Sequence, residues 1–324
     1  MPNQVQNGKA FEYSIATNYY NYLISQGINV SLIQDAPFLN AKHCYDIQTP
    51  SAKSAFDNAA LQTIETLLIL EPGLKAQSDQ NDILEMSIAA DAKGKAGDIR
   101  DIIFKREQIT PKWEVGFSAK NNNDAVKHNR LSMTIDFGKE WLGHSCSNTY
   151  FSEIQPIFDM IKNLKNSNPK MKWNNVPDVH KTIYVPVLKA FRKELLRIND
   201  EYSDVPKKLL SYLVGRYPSY KFIKDDKHNL VIVKAYNLSG RLNKTVNGVA
   251  ARAKAGNIKP PTRIIEFEFK KELQTTLIMV LDEGWQISFR IHTADGPITN
   301  SLKFDIQFIG NPPVLFTQHL FNID

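Results

Sequence analysis

A mixed α/β fold, helical in its first half and strand-rich in its second, is predicted by three observations on this 324-residue chain. Apolar residues recur at helical spacing early on and again between residues 151 and 214. One strand-turn-strand pattern, within residues 97–120, interrupts the early helices. From residue 230 onward the residues alternate or become β-branched, as half-buried strands do.

Each element has its own signal. Across residues 8–23, Ala10, Phe11, Ile15, Tyr19, Tyr22 and Leu23 share a helical stripe that ends near Gly27. A second helix is predicted over residues 54–70, stopped by Pro72 and Gly73. After the hairpin, residues 121–130 lead into a polar helix, and residues 151–164 form another. Asn166-Ser167-Asn168-Pro169, continuing to Pro177, reads as a linker. Helices follow at residues 185–198 and 206–214. Strands are predicted at residues 230–235, 263–269, 275–281, 285–292 and 302–308, with Asp282-Glu283-Gly284 as a hairpin turn. The natural division is 1–175, which carries the hairpin, and 176–324, which is strand-rich.

Composition narrows the function classes. The chain is 42% hydrophobic and 10% aromatic, and is long enough to bury the core of one large domain or two ordinary ones. A net charge of +6 favours a polyanionic partner, although where the charge lies matters more than its sum. Cys44 and Cys146 are too few for a disulfide framework or a zinc site, so a reducing cytoplasm is expected. There is no charged-then-apolar leader pattern, and no apolar run approaches the roughly 20 residues of a membrane span. A soluble protein without a membrane partner is the expectation.

The chemistry lies in Gly97-Asp98-Ile99-Arg100-Asp101-Ile102-Ile103-Phe104 and Trp113-Glu114-Val115-Gly116-Phe117-Ser118-Ala119-Lys120. Side chains on a strand alternate, so Glu114, Gly116, Ser118 and Lys120 share a face. Glu114 and Ser118 are roughly 13 Å apart at ~3.3 Å per residue, so one metal cannot easily touch both ends of that span. A turn centred near Gln108 or Ile109 sets residues 98–101 opposite Ser118. That arithmetic does not choose between Asp98 and Asp101, which have opposite parity; a bulge or strand start at Asp98 would bring in both. Carboxylates beside a lysine on a hairpin suit a metal-dependent phosphodiesterase: the acids hold Mg²⁺ and the lysine steadies the attacking water and the growing phosphate charge. Glu12, one turn into the first helix, is either an acid favoured by the helix dipole or a carboxylate completing the site. Two surface acids with a lysine is the bland alternative, weakened by a run as apolar as Ile102-Ile103-Phe104.

These residues resemble a known family. Gly8-x-Ala10-Phe11-Glu12, Gly97-Asp98-x-x-Asp101 and Trp113 to Lys120, continued by Asn121-Asn122, Lys127-His128, Arg130 and Ser132, are similar to the HaeIII-like type II restriction endonucleases. Ile287-Ser288-Phe289-Arg290-Ile291-His292 and Ser301-Leu302-Lys303 resemble that family's C-terminal end, so the likeness spans the chain. It implies a PD-(D/E)XK nuclease fold, a central mixed sheet flanked by helices, with residues 1–175 as nuclease core and 176–324 as a DNA-recognition region. It also implies Mg²⁺-dependent cleavage of double-stranded DNA at the palindrome GGCC, in the prokaryotic cytoplasm, with a cognate DNA methyltransferase acting on the same site. Two departures stand out. No proline precedes Asp98 or Asp101, and Ser118 replaces the usual acid, leaving a Ser-x-Lys version. The missing acid must come from Glu12 or Glu114, so the candidate metal ligands are Asp98, Asp101, Glu12 and Glu114.

DNA contacts have two sources. Asn121, Asn122, Lys127, His128, Arg130 and Ser132 follow the catalytic strand, where arginine can bond guanine O6 and N7 together. Residues 227–263 hold eight Lys and Arg and no acid. Ser239-Gly240-Arg241 and Ala255-Gly256-Asn257 read as flexible loops within this run, and Arg241, Lys244, Arg252 and Lys254 suit clamping a phosphate backbone. Arg290, His292, Asn300 and Lys303 lie on or between late strands and could reach base edges. Two other readings stay open: a repair or structure-specific nuclease of the same fold, and a silent DNA-binding module in which Ser118 marks a decayed site. A palindromic target favours a two-fold homodimer.

Overall fold

The computed structural model describes residues 2–90, 97–122, 124, 127–271, 273–293 and 296–321. They form a mixed α/β protein of two compact units whose segments interleave along the chain. Met1–Asp124, Gly215–Ile258 and Val314–Asp324 make the first unit; Ala125–Val214 and Lys259–Pro313 make the second. This differs from the single boundary at residue 175 that the sequence suggests. Strand pairing explains the difference: an early strand, Lys127–Leu131, hydrogen-bonds to the late strand Leu302–Gly310, and so belongs to the late sheet.

In the first unit, α1 (Gln4–Ser25) opens with a capping box in which Asn3 and Gln6 satisfy each other's backbone amides. It is followed by β1 (Val30–Leu32), α2 (Ala36–Asp46) and α3 (Pro50–Leu70). The mixed seven-stranded sheet runs β1, β2 (Leu84–Ile88), β3 (Ile102–Arg106), β4 (Trp113–Asn121), β6 (Ser219–Asp225), β7 (Leu230–Tyr236) and β12 (Phe316–Phe321). Pairing is parallel at β1–β2 and β4–β6 and antiparallel elsewhere. Phe11 and Tyr19 of α1 and Phe56 and Leu67 of α3 share one core with Phe104, Phe117, Tyr220, Phe222 and Val233 of the sheet. The Tyr19 ring lies 5.6 Å from Phe104 and 5.4 Å from Phe117. Because side chains alternate, this packing turns Ser118 and Lys120 to the other face.

Gly73 belongs to this packing. A Cβ there would meet the Trp113 indole at 2.3 Å, so the turn after α3 needs glycine for the ring to close over it.

The second unit holds β5 (Lys127–Leu131) in an antiparallel sheet of order β5, β11 (Leu302–Gly310), β10 (Gln286–Ile291), β9 (Leu273–Leu281) and β8 (Ile264–Lys270). Helices α4 (Asn148–Ser167), α5 (Val185–Glu201) and α6 (Val205–Val214) complete it. Phe191 of α5 packs 5.5 Å from Phe289 and 4.9 Å from Phe304. The polar helix expected after Arg130 is replaced by β5 and, further on, a π-turn at Gly138–Leu142, because β11 offers the segment a strand partner. The expected linker at 166–177 is instead the end of α4, a turn and a short 3-10 helix at Trp173–Asn175. No described helix is long and apolar enough to cross a membrane.

Candidate active site

The hairpin of β3 and β4 closes with Arg106 opposite Trp113 and Ile102 opposite Phe117, so its turn is centred between Ile109 and Thr110. That register sets Asp101 just before the paired rungs, where its amide donates to the Phe117 carbonyl at 2.7 Å. Its carboxylate faces Ser118 and Lys120. Asp101 Oδ2 accepts from Ser118 Oγ at 3.0 Å and from the Ala119 amide at 2.8 Å, with Lys120 Nζ at 3.5 Å. Ser118 is buried, while Lys120 keeps 30% of its side chain exposed.

Asp98 lies elsewhere. It holds the Arg100 guanidinium in a two-point grip, Nε to Oδ1 and Nη2 to Oδ2, both at 2.7 Å. Glu114 takes the same guanidinium through Nη1, and the cation stacks over Tyr217 at 4.4 Å. Gly116 makes this possible: a Cβ there would sit 2.0 Å from Arg100 Cδ, so only glycine lets the arginine stem cross β4. Asp98 and Glu114 are therefore partners of Arg100, and parity alone could not have revealed it. The signal that could have found it was the arginine between the two aspartates.

Glu12 is buried near Asp101. Burial first, and then the Asp101 charge, push its carboxyl up to about 8, against the lowering pull of Lys9 and Lys120. Lys9 Nζ meets Glu12 Oε2 at 3.0 Å, three residues back on α1. Each carboxylate thus has its own lysine, Lys9 on Glu12 and Lys120 on Asp101, and the repulsion of the two acids is what a bound cation would relieve further. No cluster of three or more His, Cys, Asp or Glu that could hold a metal occurs among the described residues. Two hard oxygen donors still suit Mg²⁺, which is commonly bound through one or two carboxylates, waters and substrate phosphates.

The pH consequence has a definite sign. A carboxyl raised from 4.5 to about 8 stabilises the fold fully below 4.5, and that contribution is lost as pH rises through 8. Urea denaturation in EDTA at about pH 6 and about pH 9 is expected to reveal a fall in stability that Glu12→Gln reduces. Glu71, which burial pushes up to about 7, titrates in the same direction, so the difference between wild type and variant is the quantity that counts. Identical slopes in the two proteins would show that Glu12 is not held protonated.

Comparison with known proteins bears on this site. Residues 8–312 match the family described as HaeIII restriction endonuclease. The chain belongs to the HaeIII restriction endonuclease family. It is 36% identical over 314 residues to the type II restriction enzyme HaeIII of Haemophilus aegyptius, covering 95% of each chain. No solved structure matches. The family match begins at Gly8, in the segment that carries Glu12, and spans the hairpin.

The DNA-contact candidates of this restriction endonuclease homologue fall on both units. In the first, Asn121 ends β4 with a buried Oδ1 that has no hydrogen-bond partner. Asn122 bonds Asp226, at 2.8 Å where its Oδ1 receives the Asp226 amide. Arg241, Lys244, Arg252 and Lys254 are exposed. Their loop is pinned rather than free. Leu242, Val246 and Ala255 enter the core, Asn243 bonds the Leu70 carbonyl at 2.9 Å, and the Arg252 amide bonds Ile69. Lys234 departs from the basic run by lying buried on β7.

In the second unit, Lys127 and His128 lie on β5, and their side chains fall outside the described residues. Arg130 is exposed and donates to Ser301 Oγ at 3.0 Å; Lys303 pairs with it in register. Arg290 meets Asp305 at 3.2 Å, and the His292 amide bonds the Lys303 carbonyl. Arg130, Lys303, Arg290 and His292 thereby share one face of the sheet, opposite Phe289 and Phe304. Asn300 accepts from Lys165 at 3.2 Å, and Ser132 is buried against Thr134. The sequence reading missed two members of the hairpin environment, Arg100 and Lys221; the latter lies on β6, a strand it did not predict.

Proposed function

We propose that this protein is a Mg²⁺-dependent type II restriction endonuclease that hydrolyses double-stranded DNA at GGCC, on a PD-(D/E)XK-like core. The observation that carries the reading is the convergence of Ser118, the Ala119 amide and Lys120 on one carboxylate oxygen of Asp101, with the buried Glu12 carboxyl pushed up by the same Asp101 charge. In this reading Glu12 and Asp101 hold the metal, and Asp98 and Glu114 keep Arg100 in place. Bound Mg²⁺ supplies Lewis-acid stabilisation of the charge that develops on the phosphate.

The chain's own residues do the rest. Ser118 and the Ala119 amide both bind Asp101 Oδ2, fixing the orientation of a carboxylate that would hold the metal. A serine can therefore stand where the superfamily pattern has an acid, because its task here is to orient Asp101. Lys120 holds the attacking water in line with the leaving oxygen and opposes the developing negative charge. Exposed Arg241, Lys244, Arg252 and Lys254 contact backbone phosphates, and the Arg130, Lys303, Arg290 and His292 face reads bases. A two-fold homodimer matches the palindrome, and a DNA methyltransferase would protect the same site without needing contact.

The test is digestion of a plasmid of known sequence with Mg²⁺ or with EDTA, followed by mapping of the ends. Discrete Mg²⁺-dependent fragments ending at GGCC are expected. Discrete ends at another sequence would keep the endonuclease and discard the site. Binding without cutting would favour the silent DNA-binding module that Ser118 brings to mind.

A further inference from the structure

The polar face of the hairpin does not end at β4. Ser118 pairs in register with Lys221 of β6, and Lys221 with Lys234 of β7. Cross-strand partners project to the same side, so the row continues from Asp101 and Ser118 into the sheet interior, away from Phe117, Tyr220 and Val233. Both lysines are buried, 5% and 8% exposed. A buried ammonium is costly unless paired.

One carboxylate serves both. Lys221 Nζ bonds Asp124 Oδ1 at 2.5 Å and the Asp124 carbonyl at 2.9 Å, while Lys234 Nζ bonds Asp124 Oδ2 at 2.5 Å. Among the described residues, two cations therefore share a single anion, beside a third cation at Lys120. Lys221 registers the surplus: burial pushes its ammonium down to about 8, Asp124 pulls it back, and Lys120 and Lys234 press it lower. Asp124 itself lies two residues past the last ladder bond of this segment, from the Asn122 amide to the Lys224 carbonyl at 2.7 Å. Two donors gripping the two oxygens of one anion would equally satisfy the two non-bridging oxygens of a phosphodiester.

We propose that Lys221 and Lys234 form a backbone-phosphate seat on the catalytic face, which the Asp124 carboxylate fills while DNA is absent and a phosphate of the bound strand takes over. The exchange replaces one anion by another of the same charge, so the lysines stay paired throughout, and the displaced carboxylate regains water. Asp124 then acts as a built-in competitor that keeps two buried cations from capturing anions indiscriminately. The inference rests on DNA binding at the Lys120 face.

The experiment is a titration of a GGCC-containing duplex by fluorescence anisotropy, in EDTA, over a range of salt. Wild-type binding tests the functional reading; its absence would sink that reading and this inference with it. Given wild-type binding, replacing Lys221 and Lys234 together by glutamine should lower the slope of log K against log salt by about 0.9, the one phosphate contact of the seat, and Lys221→Gln or Lys234→Gln alone by part of that. Asp124→Asn should tighten binding by roughly 3–10-fold, the loss of a competing anion. Unchanged slopes, or weaker or equal binding by Asp124→Asn, would leave the three residues as a purely structural ion cluster. The glutamine variants carry the greater risk of not folding. Asp124, whose side chain is 37% exposed, gives an independent arm. Inorganic phosphate should raise the melting temperature of Asp124→Asn more than that of wild type, and equal shifts would overturn the seat.

Discussion

Replacing Lys120 by alanine is expected to slow DNA cleavage by at least about 10²–10³-fold, the range for losing one preorganised charge-stabilising donor. DNA affinity in EDTA should change little. The asymmetry follows from where the cations lie. Lys120 is one cation among many available to phosphates, including the exposed Arg241, Lys244, Arg252 and Lys254, but among the described residues it is the one beside Asp101, at 3.5 Å. Its removal also takes away a cation that holds the Glu12 carboxyl down, so Glu12 becomes harder to ionise. Lys120→Arg restores the charge but replaces a compact ammonium by a planar fork, and should recover only part of the rate. Single-turnover cleavage and anisotropy on the same preparations separate the two effects. Undiminished cutting by Lys120→Ala would remove the lysine from the mechanism, and a large loss of affinity would recast it as a binding residue.

The sequence made parts of this site legible and hid others for physical reasons. The hairpin was readable because strand alternation fixes which residues share a face, and the turn fell within about one residue of the position inferred from spacing. Asp98 and Asp101 could not be separated that way. The choice between them depends on the Arg100 stem crossing at Gly116, a contact between strands that leaves only a glycine as its trace. The seat lysines were harder still. Lys234 was visible as one member of a basic run, but pairing across β6 and β7 gives it a buried partner instead of an exposed role. At the level of fold, long helices with clear stop signals or a strong apolar stripe, such as α1, α3 and α5, declared themselves. Short elements with little periodicity, such as β1, β2 and β12, did not. β5 was missed for a different reason: its partner lies at residues 302–306, more than 170 positions away, and no local pattern announces such a pairing.

Arg106→Met is expected to destabilise the protein by about 3–5 kcal/mol, the cost of breaking a buried pair by removing one partner. Arg106 has no exposure at all and pairs with Asp82, itself buried, at 2.9 Å. The guanidinium does more than neutralise that carboxylate. It also donates to the Gly73 carbonyl at 2.6 Å and the Asp82 carbonyl at 3.1 Å, tying the end of β3 to the turn after α3 and to the segment before β2. Methionine fills much of the volume and leaves those acceptors without a donor. Asp82 keeps the Ser78 amide at 2.9 Å and Asn247 at 3.1 Å, which holds the loss within the stated range. Arg106→Lys should cost less, since it returns the charge, but more than a surface change, since one ammonium cannot span acceptors set around a planar fork. Urea denaturation measures both variants. Because β3 carries Asp101 at one end and is anchored by Arg106 at the other, cleavage by Arg106→Met should fail at a lower temperature than wild type and remain near wild type well below it. A cost under about 1 kcal/mol, typical of an exposed pair, would mean that this end of β3 is held by apolar packing and not by the guanidinium.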